Sequence, residues 1–438
     1  MIRYAGIVLW LLISAIAIFS KTFASVSTSI QHQQTEFIHF LTLADIHFDP
    51  FLSCHAKPCP LIEKLRSTSS NQWATILSEY DTSPPQYKLD TNNMLLNSAM
   101  IASQKAAAVN QAQFVLVLGD FLGHEFRSSY KKYSTDERMA GYQSFVRKTM
   151  EFITHQLAHA FPSIDVYSVV GNNDSYQDDY VTNPGGQFFQ DTAKLWSSLI
   201  KNKFNRVAMQ SQFSFSGYYA ITLPSQYNLR LIVINTNLFS NKANGQVIDE
   251  VAAKQLKWLH EQLQIAKDNK QKVFIAMHIP DGIDVYMTFR IRLFRLIELW
   301  KSQYTKQFQV ELQQFSPEIA GVFVGHLHSD WLQIETFNSN EIPVMGIPSI
   351  SPIFGNNPGF KLYSYSSNPV QLDDFTTYYD PLNGKKVWIF EYDFNQVYQH
   401  NCYHCPIVQQ INMLQRRDTL ADYYQAYYGI GKKSERHP

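Results

Sequence analysis

Phe37-Ile38-His39-Phe40-Leu41-Thr42-Leu43-Ala44-Asp45-Ile46-His47 is an apolar, β-rich run that ends in two residues able to bind a metal. The same arrangement recurs along the chain. Phe114 to Leu118 leads into Gly119-Asp120, Val166 to Val170 into Gly171-Asn172-Asn173-Asp174, Val273 to Met277 into His278, and Ile319 to Val324 into Gly325-His326-Leu327-His328. With Leu231 to Ile234 these runs read as strands. Amphipathic stretches predict helices over Asn93 to Val109, Glu137 to Ala160, Gly186 to Lys203, Val247 to Lys267 and Tyr286 to Trp300. Strands alternating with helices make an α/β fold, in which sites form at the carboxyl ends of strands. A lone Asp-x-His or Gly-Asp says little, because Asp, Asn and Gly also end strands as turn formers. That explanation covers each of them separately and leaves the histidines unexplained.

The residue types specify the chemistry. Asp45, Asp120 and Asn172 bring oxygen, His47, His278, His326 and His328 bring imidazole nitrogen, and no thiolate is present. Such donors suit Zn(II) first, with Mn(II) or Fe as alternatives, whereas calcium and magnesium want more oxygen. Seven ligands are too many for one tetrahedral ion. They fit two divalent ions that share a bridging carboxylate and keep positions open for water and substrate.

This pattern resembles the calcineurin-like metallophosphoesterases, whose motifs run D-x-H, G-D, G-N-H-[DE], H and G-H-x-H. Within that family it looks most like acid sphingomyelinase and the acid-sphingomyelinase-like phosphodiesterases, with fungal-type endopolyphosphatases close by. The details are Asp45-Ile46-His47-Phe48-Asp49-Pro50, Gly119-Asp120-Phe121-Leu122-Gly123-His124, and Ile350-Ser351-Pro352 running into Gly355-Asn356-Asn357-Pro358-Gly359-Phe360. The match spans about residues 38 to 378. The resemblance implies a four-layer sandwich, two facing mixed sheets flanked by helices. It implies one metal held by Asp45, His47 and His328, a second held by Asn172, His278 and His326, and Asp120 bridging them. Attack on phosphorus would come from a hydroxide between the ions, and His124 would protonate the leaving group. Asn356 and Asn357 would line the substrate cleft. The implied activity is hydrolysis of phosphodiester or nucleotide-type phosphoanhydride bonds in a small phosphoester or nucleotide. Asn173 departs from the pattern, standing where the family usually has histidine, and an amide cannot deliver a proton. That leaves an endopolyphosphatase-type hydrolase and a catalytically silent metal-binding relative open as alternatives.

Composition agrees with a large core: 45% of the 438 residues are hydrophobic, 14% aromatic and only 17% charged. Lys plus Arg equals Asp plus Glu at 37 each, so bulk charge implies no nucleic-acid binding. Arg3, an apolar stretch from Ala5 to Phe19 and Thr22-Phe23-Ala24 predict a secretory signal peptide over 1–24, hence a secreted, periplasmic or lumenal protein. In that setting Cys54, Cys59, Cys402 and Cys405 are disulfide candidates with three possible pairings, of which the local one needs the least assumption. The catalytic domain is expected over 35–395, with a helical extension over 396–438, including Asn412 to Tyr428, packing back on the core. The polar stretch Ser364 to Asp380 reads as the end of that core, followed by a strand at Val387 to Tyr392. About ten residues between the signal and the first strand leave no room for a saposin-type lipid-extracting domain.

Overall fold

The computed structural model describes residues 37–224, 228–284, 296–384, 387–398 and 405–414. Its strands, in chain order, are β1 (Phe37–Leu43), β2 (Phe114–Leu118), β3 (Asp165–Val169), β4 (Tyr219–Thr222), β5 (Leu229–Val233) and β6 (Lys272–Met277). They continue with β7 (Ile319–Val324), β8 (Trp331–Phe337), β9 (Asn340–Gly346), β10 (Gly359–Ser367), β11 (Val370–Tyr379) and β12 (Ile389–Asp393). Two six-stranded sheets result, ordered β12-β11-β10-β1-β2-β3 and β4-β5-β6-β7-β9-β8. Strands β1 to β3 run parallel, as do β5, β6, β7 and β9. Antiparallel β10 to β12 extend the first sheet, and β4 and β8 close the two edges of the second. Both sheets are therefore mixed. The parallel strands are covered on both faces, which is why β2 is buried along its whole length and reads Phe-Val-Leu-Val-Leu.

Aromatic residues fill the space between the sheets. Phe40 of β1 stacks on Phe114 at 4.7 Å and meets Phe323 and Phe274 of the second sheet at 5.3 and 5.5 Å. Tyr363 and Tyr365 of β10 reach the same two phenylalanines. Ring pairs at this spacing add to the burial of their area. Outside, the helix Asn93–Val109 covers β1 and β10, and the helix Gln246–Asp268 covers β5 and β6. Helix, sheet, sheet and helix form the expected four-layer sandwich.

Several elements differ from the sequence reading. The helix expected over Gly186 to Lys203 is shorter, Gln187–Ser197, and a second helix that the sequence reading lacks, Lys203–Ser216, begins at the last residue of that span. Asn202 starts the second by accepting from Phe204 N and Asn205 N at 3.0 and 3.1 Å. Of the helix expected over Tyr286 to Trp300, residues 286–295 lie outside the described ones, and 296–300 are not helical. Glu298 bridges Ile283, Trp300 bridges Ser240, and the Trp300 indole donates to Ile279 O at 3.1 Å. These ties commit the segment to its neighbours, and a helix begins only at Ser302–Gln314. Ser364 to Asp380 is not the edge of the core either. It supplies much of β10 and β11, and β10 pairs directly with β1 at the middle of its sheet. Polar side chains within it find partners close by, as when Ser366 Oγ donates to Pro369 O at 2.9 Å.

Toward the C-terminus the helices Phe394–Tyr398 and Ile407–Leu414 follow, the second burying Ile407 and Ile411 and tying Asn412 to the Glu341 carboxylate at 2.7 Å. Residues 412–414 of the expected Asn412 to Tyr428 helix belong to it, and the remainder lies outside the described residues, as does 1–24. Cys54 and Cys59 form a disulfide. Cys405 is also disulfide-bonded, and Cys402 lies outside the described residues. Among the described residues no helix is long and apolar enough to cross a membrane.

Candidate metal centre

All five turns that carry the expected ligands open at one edge of the sandwich. Asp45 and His47 follow β1, Asp120 follows β2 and Asn172 follows β3, while His278 follows β6 and His326 and His328 follow β7. The turns are tight. Asp45, His47, Asp120, His326 and His328 take φ of 51°, 43°, 53°, 69° and 56°. Such left-handed backbone at non-glycine residues persists only where the surroundings impose it, and it gathers at functional sites. The glycines beside them leave the necessary room. A Cβ on Gly171 would come within 2.1 Å of Asp120 N and Oδ1, and one on Gly119 within 2.6 Å of His278 Nδ1.

The side chains converge. His47 Nε2 lies 3.0 Å from His328 Nε2 and 3.3 Å from Asp120 Oδ2. His278 Nε2 lies 3.2 Å from the same Asp120 oxygen and 3.0 Å from Asn172 Oδ1. Asp45 Oδ1 is 3.5 Å from His328 Nε2. His326 is tied in through its backbone N, which donates to both Asp45 oxygens at 3.0 Å, and its ring lies within reach of Asp120 and His278. Three sets of ligand atoms, Asp45, His47 and Asp120, Asp120, His278 and His326, and His47, His124 and His328, each lie within 4.8 Å of one another. Each is compact enough to hold a cation.

The hydrogen bonds behind these rings decide what they present. His47 Nδ1 donates to Leu122 O at 2.9 Å, and His278 Nδ1 donates to Leu118 O at 2.7 Å. A carbonyl only accepts, so the neutral form of each ring carries its proton on Nδ1 and turns a bare Nε2 toward Asp120. Two lone pairs aimed at one carboxylate are held together only by positive charge between them. Burial and neighbouring histidines pull His47 down to about 4 and His326 to about 3, while burial pushes Asp45 up to about 8. His278 goes the other way: burial opposes its charge, yet Asp120 lifts it to about 9. Asp120 itself sits well below the usual carboxylate range, since His278 and His47 outweigh its burial. A proton on His278 thus fills a place suited to a cation, and the donor set fits divalent metal.

Neighbouring groups complete the site. Asp174 accepts from Phe121 N at 2.8 Å, Leu122 N at 3.2 Å and Gly171 N at 2.9 Å, so it ties two of the turns together. Asn173 donates to Asp120 from its backbone N at 2.8 Å and its amide at 2.9 Å, so its side chain orients that carboxylate. His124 stacks on His47 with ring centroids 4.0 Å apart. Asp90 holds it, accepting from His124 N at 2.7 Å and Nδ1 at 3.1 Å, and also from Ser351 Oγ at 2.8 Å. Burial lowers His124, but the Asp90 bond and charge outweigh it, and the net shift is upward. Asn356 and Asn357 are placed in the loop after Ser351, where the Asn356 amide donates to Ser349 Oγ at 2.8 Å and the Asn357 amide oxygen accepts from Tyr87 OH. From the same loop Phe354, half exposed, sets its ring 4.7 Å from His328 and 5.8 Å from His124. Asp90, Phe354 and Tyr180, whose OH lies 3.4 Å from His326 Nε2, have no motif that singles them out in the sequence.

The calcineurin-like phosphoesterase family matches residues 38–330. The chain belongs to that family. This calcineurin-like phosphoesterase is 25% identical over 376 residues to human cyclic GMP-AMP phosphodiesterase SMPDL3A, covering 82% of this chain and 75% of the relative. It is 28% identical over 344 residues to sphingomyelinase phosphodiesterase D of Dictyostelium discoideum, covering 76% and 71%. To mouse acid sphingomyelinase-like phosphodiesterase 3b it is 25% identical over 382 residues, covering 82% and 75%. Among solved structures, a dimetal phosphatase from Danio rerio aligns over 81% of this chain and 98% of its own with a TM-score of 0.45 and 13% identity.

Proposed function

We propose that this phosphoesterase is an exported, metal-dependent phosphodiesterase acting on a small phosphodiester or nucleotide. Asp45, His47 and His328 would hold one divalent ion and Asn172, His278 and His326 a second, with Asp120 between them. The observation that carries this reading is the convergence of bare imidazole nitrogens on the Asp120 carboxylate beside the Asp90–His124 pair. Bound there, Zn(II) or a similar cation supplies Lewis-acid polarisation of phosphoryl oxygens and lowers the pKa of water.

The protein's own residues do the rest. Asn173 and the backbone fix Asp120, and Asp174 locks the β2 and β3 turns so that both faces of the centre keep their spacing. His124 bears a proton on the nitrogen held by Asp90 and, with its raised pKa, a second proton for the departing oxygen. Phe354 offers an apolar wall beside it for the leaving group. Substrate class follows in part from the relatives, whose names specify cyclic GMP-AMP and sphingomyelin-type phosphodiesters.

The test is hydrolysis by the metal-loaded protein of bis(p-nitrophenyl) phosphate, p-nitrophenyl phosphate, ATP and polyphosphate, with Asp120→Ala alongside. Diester or nucleotide cleavage that Asp120→Ala abolishes supports the proposal. Preference for polyphosphate would favour the endopolyphosphatase-type reading, and no turnover with two ions bound would favour the silent one.

A further inference from the structure

The connection from β7 to β8, Gly325 to Asp330, carries both His326 and His328, and each has a positive φ. Its entry is fastened near the centre. Gly325 N donates to His278 O at 3.1 Å and His326 N to the Asp45 carboxylate at 3.0 Å. Its exit is fastened by Asp330, which is buried and reaches across to the first sheet. Asp330 Oδ1 lies 2.5 Å from Lys361 Nζ, and Oδ2 accepts from Tyr392 OH at 2.9 Å and Thr377 Oγ1 at 3.2 Å.

Those three partners form a single row across three strands. Lys361 of β10 stands opposite Thr377 of β11, and Thr377 stands opposite Tyr392 of β12. The Lys361 ammonium also lies 3.6 Å from the centroid of the Phe375 ring and is fully buried. A polar row on the inner face of a sheet is costly, and a buried ion pair is often no more stabilising than well-packed apolar residues of the same volume. What this row does achieve is to fix one carboxylate, two residues beyond His328, against the opposite sheet.

We propose that Asp330 and Lys361 are a positioning pair, which with Thr377 and Tyr392 anchors the exit of the imidazole-bearing connection and so sets the affinity of the ion that His328 holds. This rests on the metal-centre reading above. The pair acts through the backbone and touches neither ion nor substrate.

The experiment titrates Zn(II) into the chelator-stripped full-length protein by calorimetry and records thermal melting of each sample. The samples are wild type, His328→Ala, Tyr392→Phe, Thr377→Val and the double variant Asp330→Leu/Lys361→Met. The double variant should melt close to wild type when both are metal-free, because an apolar pair replaces a buried ionic one while the Thr377 and Tyr392 hydroxyls lose an acceptor. It should nevertheless bind one of two ions about tenfold or more weakly, the scale of lost support behind metal ligands. That ion should be the one His328→Ala loses, and Tyr392→Phe and Thr377→Val should weaken it to a smaller degree. Wild-type affinity for both ions in the double variant overturns the proposal, as does equal weakening of both ions together with a lower melting temperature. Should the double variant not fold, wild-type affinity in Tyr392→Phe and Thr377→Val overturns it. A wild type that takes up no pair of ions sinks the metal-centre reading itself, a result distinct from these.

Discussion

His124 is defined by the carboxylate behind it. Asp90 receives its backbone N and its Nδ1, which fixes the ring beside His47 and keeps it a stronger base than an ordinary imidazole despite burial. As the proposed acid, His124 must be protonated to act, so turnover should fall as pH rises through its pKa. Asp90→Asn removes the charge that raises it. The alkaline limb of kcat/KM should then move to lower pH by about one unit, with the limb measured on a diester whose alkyl leaving group needs a proton. An unmoved limb would remove His124 from that role. The sequence makes His124 visible, because it follows Asp120 at short range within a recognisable turn. Asp90 is hidden, since Leu89-Asp90-Thr91-Asn92-Asn93 reads as the start of a helix, which Asn92 indeed caps by accepting from Leu95 N at 2.9 Å. Nothing local marks a side chain whose partner comes from another part of the chain.

The elements that carry the proposed ligands are short parallel strands ending in tight turns. Their legibility has a physical basis: a strand buried on both faces must be continuously apolar, and a turn that needs positive φ or close approach favours glycine, asparagine or aspartate, so the positive-φ histidines His47, His326 and His328 stand out there. Gly171 tests this directly. Its φ lies outside the left-handed region, but the space for a Cβ is already taken by Asp120 N and Oδ1 at 2.1 Å. Gly171→Ala should therefore cost at least about 2 kcal/mol in urea unfolding and displace Asp120, abolishing hydrolysis in the same assay. Near-wild-type stability would mean that the β2 and β3 turns are less tightly packed than described. Where element boundaries depart from the local pattern, the deciding group is a cap or a distant tie. Asn202 caps a new helix where the expected run ends, and the bonds of Glu298 and Trp300 to remote backbone replace a helix that the local pattern favours.

At the scale of the whole molecule, the two sheets contribute differently to one centre. The first supplies Asp45, His47, Asp120 and Asn172, and the second supplies His278, His326 and His328. Each proposed ion would take ligands from both. The sheets' pairing was less legible than the site, because β10 and β11 are rich in Ser, Thr and Asp whose partners lie far away in sequence, Asp330 among them. Ions that bind only the folded form stabilise it by mass action, about 4 kcal/mol at a thousandfold excess over Kd. Chelation should therefore lower the melting temperature by several degrees, and returned Zn(II) should restore it; an unchanged melt would place the ions elsewhere. On this reading the seam between the sheets gives the metal supply of a compartment a hold on how long each copy survives. A copy that captures its ions is stitched along that edge, and one that lacks them has only packing and hydrogen bonds to hold it there.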